Sequence, residues 1–582
     1  MFCPYEQGIV LYLVALLMVP FILLLGVAVD LGQILVIKNQ LQSAIDAAAL
    51  EIAANPTWPQ AQAQSQAQNY VNANFSTQYS SATLTSLQVT INDAASPPTV
   101  NITASASVST YLLPVAGYNK LSTKVSTQAT IAQNYMEVVL VLDNTGSMNQ
   151  VYGSETGIQG LRDAATELVN TLFASDPTHT YVKVAVVPFT DNVNVANSLY
   201  GVSVSSPPSW IDNSNTAGSL SQENIAVPTG TGLVTFAQRL ASATGQSSWA
   251  WQGCVRQRTE PYDTEDVAPS TRTPATLYTP FFAPDEPDCC TTPGSGNFYN
   301  SYLNDGQYTT KNQQQYVNAP LANLATNTCP SMATETKYPY QSETVESEIQ
   351  YCTKKYSTSP VVQSNGSGPN ALCTVQPIIP LTNNQSDILN EISAMQAYGS
   401  TAIPTGLTWG WHLISPTVSP VIFPNNAAVA YSNTNTIKAV ILLTDGFNDV
   451  QITSNYIPPT STTNGFNQSV YSAYGYGNSS HLTALALPQS KVGVQDQPDY
   501  NLDQKQMQLC NNIKAVTDAN GNPGRIQIYA IGFGSVINSS QLQLLQQCAT
   551  DSSHYFYNPT SEELITTFQQ IAIGLNRLRI SQ

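Results

Sequence analysis

The chain has 582 residues, of which 42% are hydrophobic and only 10% charged, and a formal net charge of −17. That length exceeds what one hydrophobic core usually supports, so a short domain beside a large or inserted one is expected. The acidic balance, without any Lys/Arg cluster, excludes nucleic acid as a partner, because phosphate binding needs a basic footprint.

After a short N-terminus (1–8), residues 9–29 read IVLYLVALLMVPFILLLGVAV. These uncharged positions are enough to cross a ~30 Å hydrocarbon layer at ~1.5 Å per residue, which predicts a transmembrane helix over 9–30. The run is too long for the apolar core of a signal peptide, and no basic flank or small-x-small cleavage site accompanies it. With no Lys or Arg in 1–8, the positive-inside rule assigns no orientation. The cysteines do. Beyond the segment stand Cys254, Cys289, Cys290, Cys329, Cys352, Cys373, Cys510 and Cys548, an even set without a CxxC pair, which suits disulfides in an oxidising compartment. The N-terminus is therefore expected in the cytoplasm and the remainder outside it.

A stem is expected over 31–134. Leu31, Ile34, Leu35, Leu41, Ile45, Ala48 and Ile52 continue the helix with a three-to-four spacing. Pro56 and Pro59 break it, an alanine-rich polar helix resumes over 61–75, and three alternating strands follow at 84–92, 99–110 and 122–132. From 135 to 580 the pattern becomes a βα alternation. Strands are expected at 137–143, 181–189, 437–445 and 525–534, with helices at 157–175, near 386–397 and at 561–575. The fold class is α/β, a doubly wound, mainly parallel sheet. Two polar stretches, about 191–381 and 447–500, read as insertions, the first stapled by disulfides. Cys510 and Cys548, on helices either side of strand 525–534, are the pair expected to bond.

The segment VVLVLDNTGSMNQ ends an apolar strand in Asp143, with Thr145 and Ser147 following at alternate positions. One carboxylate and two hydroxyls on a tight turn suit a hard divalent cation, Mg²⁺ first, with Mn²⁺ or Ca²⁺ as alternatives. Thr401 lies in a second loop, in YGSTAIPTGLTWGWHL, and Asp445 ends another apolar strand in AVILLTDGFND. Three loops at the carboxyl edge of one sheet would converge on a single point. Asp518, Asn520 and Asn522 only mimic a calcium loop, since Pro523 and Tyr529 stand where its glycine and terminal Glu belong. His412 and His554 have no nucleophile arrangement around them in sequence, and no enzyme is expected.

At Asp143-Asn144-Thr145-Gly146-Ser147, Gly399-Ser400-Thr401 and Thr444-Asp445-Gly446 the sequence resembles the von Willebrand factor A family. Its metal-ion-dependent adhesion site takes the form DxSxS, then a Thr loop, then an Asp in a TDG-type turn. Thr145 in place of the first Ser keeps the hydroxyl. The resemblance implies Thr145 and Ser147 as direct ligands, Asp143, Thr401 and Asp445 as direct or water-mediated ones, and a protein partner whose Asp or Glu completes the coordination. The stretch GIVLYLVALLMVPFILLLGVAVDLGQILVIKNQLQSAIDAAAL resembles the TadE/TadG-like proteins of the Flp (tight adherence) pilus machinery, although its flank lacks their basic residue. That resemblance implies an inner-membrane, periplasm-facing protein working with pilus-assembly components. A surface adhesin that contacts host or matrix protein through the same site is the alternative expectation.

Overall fold

A computed structural model describes residues 5–581 apart from 54, 56–57, 76–81, 93–97, 131–134, 215–231, 285–299, 301, 304–367, 374–375, 451–470, 476–496, 535–538 and 559. Much of both expected insertions, including Cys289, Cys290, Cys329 and Cys352, lies outside the described residues. The chain divides into two compact units, one of Met1–Asn134 with Asn576–Gln582 and one of Tyr135–Leu575.

In the first unit a single long helix, α1 (Tyr5–Ala53), is followed by α2 (Gln60–Asn74) and the antiparallel strands β1 (Ala82–Asn92), β2 (Thr99–Ser109) and β3 (Lys120–Thr130), in that spatial order. The stripe that α1 buries is Ile37, Leu41, Ala44, Ile45, Ala48, Ala49 and Ile52, set against Val100, Ile102, Ala104 and Val125 of the sheet and Ala63, Ala67 and Val71 of α2. Leu31 and Leu35, expected in that stripe, are exposed. β1 is an edge strand, whose free backbone groups would template foreign pairing. Gln60 and Gln64 of α2 cover it as an amide ladder. Their side chains donate to the carbonyls of Val89 (2.7 Å) and Leu87 (3.0 Å) and accept from the amides of Ile91 (3.2 Å) and Val89 (2.9 Å).

The backbone of 9–30 is helical within α1, but the side chains of 5–13, 15 and 19–25 lie outside the described residues. Among the described residues no helix is long and apolar enough to cross a membrane. The expected transmembrane helix is not supported by these side chains.

The second unit is built on a six-stranded, mostly parallel sheet. Numbering only the strands of the two larger sheets and the longer helices, its elements are β4 (Tyr135–Asp143), α3 (Gly157–Ala174), β5 (Val182–Phe189), α4 (Leu233–Thr244), β6 (Ile379–Thr382), α5 (Gln385–Ala394), α6 (Ile403–Ile414), β7 (Thr436–Thr444), α7 (Gln497–Lys514), β8 (Gln527–Phe533), α8 (Ser539–Cys548), β9 (Tyr555–Asn558) and, as far as Leu575, α9 (Ser561–Ser581). The spatial order is β6-β5-β4-β7-β8-β9, with β6 antiparallel to β5 and every other pairing parallel. β7, buried along its whole length, sits at the centre, as its unbroken apolar run requires.

One sheet face carries Val139, Val141, Val187, Val440, Leu442 and Ile528 into a large core with Leu407, Trp409 and Leu413 of α6. The described part of the first insertion belongs to the same core: Trp210, Leu233, Leu240, Trp249, Tyr278 and Tyr302 all pack into it. It is a structural layer of the unit. A disulfide between Cys254 and Cys373 closes it, and the expected bond between Cys510 of α7 and Cys548 of α8 is formed.

Two polar clusters are sealed in this unit. Lys438 of β7 and Glu137 of β4 are register partners and form a buried ion pair. Glu137 also accepts from the Val429 amide (2.8 Å), and Lys438 donates to the Ile414 carbonyl (3.1 Å), so both charges are multiply bonded. His412, buried in α6, lies 3.0 Å from Arg258 and against the Tyr278 hydroxyl; burial and the guanidinium hold its imidazole well below the ordinary range. The residues Asp518, Asn520 and Asn522 form a turn in which Asp518 accepts from both asparagine amides (2.8 and 2.9 Å).

Candidate metal site

The carboxyl ends of β4 and β7 lie side by side, because the parallel register pairs Leu443 with Leu142. That places Thr444 next to Asp143, and the Thr444 hydroxyl donates to Asp143 Oδ2 (2.6 Å). The chain then turns. The Thr145 amide donates to Asp143 Oδ1 (2.9 Å), Thr145 and Ser147 hydroxyls lie 2.9 Å apart, and Ser147 donates to Asp445 Oδ1 (2.6 Å). Asp143, Thr145, Ser147 and Asp445 thus form one connected cluster. All are buried except Ser147, on which it opens.

The loop that carries Thr401 is tied to the turn after β4, while Thr401 itself is bonded to the 445–450 segment. The Gly146 amide donates to the Gly399 carbonyl (2.9 Å), the Tyr398 amide to the Asn144 carbonyl (2.9 Å), and Thr401 exchanges backbone bonds with Asp449 (2.9 Å each). Gly399 takes a left-handed φ of 85°, the conformation glycine adopts without steric cost, and a Cβ there would stand 3.3 Å from Asp191. Helix α6 starts two residues beyond Thr401, with the Ile403 amide held by Asn448 (2.8 Å).

Burial governs the electrostatics. It raises the Asp143 carboxyl against the lowering effect of the Thr444 and Thr145 hydrogen bonds. Asp445 is pushed up to about 7 by burial, with the neighbouring Asp143 charge adding to it. Two carboxylates kept out of water beside each other disfavour one another's charge, a penalty that a bound proton or a cation relieves. Among the described residues no three His, Cys, Asp or Glu side chains converge. A cation here would rest on two carboxylates and neutral hydroxyls, a hard all-oxygen set.

Two neighbours of the cluster are invisible in the local motifs. Tyr152 donates its hydroxyl to Asp445 Oδ2 (3.2 Å), while its ring packs edge-on against Phe533 (5.1 Å) and its carbonyl accepts from Ser561 (3.1 Å). Asp191, fully buried after β5, faces the 399–401 loop, and its carboxyl is raised well above the usual range by burial. Both arrive through tertiary contacts.

The family model of the Flp pilus-assembly TadE/G-like proteins matches residues 8–55. No curated protein sequence matches the chain. Among solved structures, the pilus adhesin SpaC from Lactobacillus rhamnosus GG aligns at 10% identity and a TM-score of 0.30, covering 86% of this chain and 35% of its own. The PilB minor pilin from Streptococcus sanguinis aligns at 10% identity and 0.30, covering 87% and 80%. The vWF domain of the type V pili tip protein Mfa5 from Porphyromonas gingivalis aligns at 11% identity and 0.28, covering 77% and 97%. Scores of this size do not establish a shared fold, and the chain spans about a third of the SpaC adhesin's length.

Proposed function

We propose that this is a membrane-anchored binding protein of a Flp-type pilus system. Its second unit is a von Willebrand factor A-type domain that grips a partner through a divalent cation. Asp143, Thr145, Ser147, Thr401 and Asp445 would hold that cation, Mg²⁺ first with Mn²⁺ or Ca²⁺ as alternatives, and an Asp or Glu of the partner would complete its coordination. The observation that carries this reading is the hydrogen-bonded cluster of two buried, raised carboxylates and two hydroxyls at the carboxyl ends of adjacent parallel strands.

The surroundings support binding of protein. Val151, Tyr398 and Phe447, one on each site loop, are exposed apolar side chains. The segments 143–152, 397–402 and 445–450 contain no Lys, Arg or His, so a partner carboxylate finds no attraction there except to the cation. The N-terminal family match supports the pilus assignment. The exposure of Val14, Leu16, Leu17 and Met18 in α1 supports a bilayer anchor over 9–30, with the N-terminus cytoplasmic and the large unit periplasmic.

Affinity capture from solubilised native membranes tests the reading. Partners retained by the full chain in Mg²⁺ should elute with EDTA and be absent from Asp143→Ala; identical capture in all three conditions refutes a cation-mediated grip. Protease added to intact cells should spare the chain, whereas cleavage there would put the site at the cell surface.

A further inference from the structure

The β2–β3 connection, residues 111–118, reads YLLPVAGY and holds no charge. Its backbone is closed on itself: the Tyr118 amide donates to Leu113 O (3.1 Å), the Gly117 amide to Pro114 O (3.0 Å) and the Thr110 amide to Asn119 O (3.2 Å). The three amides that begin it, those of Tyr111, Leu112 and Leu113, donate to the carboxylate of Asp30 in α1 (2.8, 3.1 and 2.8 Å). Asp30 is fully buried by this arrangement. The loop also lies hard against the helix, where a Cβ on Gly26 would meet Leu112 Cβ at 2.6 Å.

While the backbone is tied inward, the side chains point out. Tyr111 is 67% exposed, Leu112 38%, Val115 79% and Tyr118 64%. Four large apolar or aromatic side chains clustered on one short loop form the kind of patch that soluble surfaces avoid. Its place on the molecule identifies what covers it. The loop meets α1 at residues 26 and 30, within the last ~6 Å of the apolar 9–30 stretch at ~1.5 Å per residue. Val29 and Leu31 of the helix are exposed at the same level.

We propose that loop 111–118 is a second membrane contact, seated in the boundary between headgroups and acyl chains of the leaflet from which the stem emerges. Tyr111 and Tyr118 have the amphipathic rings found at that depth, Leu112 and Val115 supply apolar area, and the exposed Lys120 at the loop's end can reach a lipid phosphate. Asp30 makes the seating possible, since backbone amides entering a water-poor layer need a partner and it supplies one to three of them. The proposal rests on the reading of 9–30 as a membrane span.

Photocrosslinking separates the two. The full chain carrying p-benzoylphenylalanine at Val115, at Leu17 or at Asn92, which pairs with Thr99 at the opposite end of the sheet, is reconstituted in phosphatidylethanolamine/phosphatidylglycerol vesicles and irradiated. Lipid adducts are then read by mass spectrometry. Adducts at 17 and 115 and none at 92 are expected. Adducts at 17 without any at 115, or a protein adduct at 115 instead, overturn the loop contact and leave the span standing. No lipid adduct at 17 overturns the span and the loop contact together, and equal adducts at all three positions reduce the contact to nonspecific adsorption.

Discussion

At position 145 the hydroxyl can be separated from the fold. Thr145 is buried, and its Oγ1 lies 2.9 Å from Ser147, so Thr145→Val keeps the β-branched shape while removing one proposed cation ligand. Titration calorimetry with Mg²⁺ or Mn²⁺ should show at least about a tenfold loss of affinity, while stability in EDTA falls only by about 1 kcal/mol for the lost hydrogen bond. Unchanged affinity removes Thr145 from the ligand set. The four clustered residues were legible in sequence because each sits within two positions of an apolar strand's end or a tight turn. Tyr152 and Asp191 were not, because what brings them to the site is the packing of Phe533, Ser561 and the 399–401 loop. Glu391 of α5 offers a pH test away from the site. Burial pushes its carboxyl up to about 7 from an ordinary 4.5. Between those values the folded chain binds more protons than the unfolded one, so this group's contribution to stability declines as pH rises through that window. Glu391→Gln should therefore stabilise the fold at pH 8 by about 1 kcal/mol after discounting for partial exposure, seen as a higher thermal midpoint, and change little at pH 4.5. An equal shift at both values would show that the carboxyl titrates alike in the folded and the unfolded chain.

Among the elements, β4, α3, β5, β7 and β8 follow directly from hydrophobic period and length. β6 does not, since Ile379–Thr382 is too short to alternate and gains its identity only by pairing antiparallel with Val184 and Val186. α4 did carry a helical signal in Leu233, Val234, Ala237, Leu240 and Ala241. The Ser, Thr and Pro around it mask that signal in the composition of the insertion. The amide ladder of Gln60 and Gln64 is illegible in one dimension, because glutamines four apart on a helix read as solvated until an edge strand is placed beside them. The disulfide between α7 and α8 was legible, and it joins helices that flank β8 in sequence across a separation of 38 residues. Closing a loop of that length in the unfolded chain stabilises the folded one by about 4 kcal/mol on the chain-entropy model. The double variant Cys510→Ser/Cys548→Ser should lose roughly that amount in a denaturant titration; an unchanged midpoint would mean that α7 and α8 are held by packing alone.

At the scale of the whole molecule, the division into two units makes the cation claim testable without knowing the partner. All five proposed ligands belong to the unit Tyr135–Leu575, and none to the unit built on α1 and the three-stranded sheet. A ligand that binds only the folded form stabilises what it binds, by about 2.7 kcal/mol when its concentration is a hundredfold above its dissociation constant. Calorimetry of the full chain in detergent, in EDTA and then in excess Mg²⁺, should therefore show the transition of the larger unit moving to higher temperature while that of the smaller unit stays in place. Asp143→Ala should abolish the shift without moving the smaller unit's transition. If both transitions rise together, in wild type and variant alike, the cation acts through the acidic surface of the whole chain, whose net charge of −17 attracts divalent ions diffusely, and not through the loops at the carboxyl edge of the sheet.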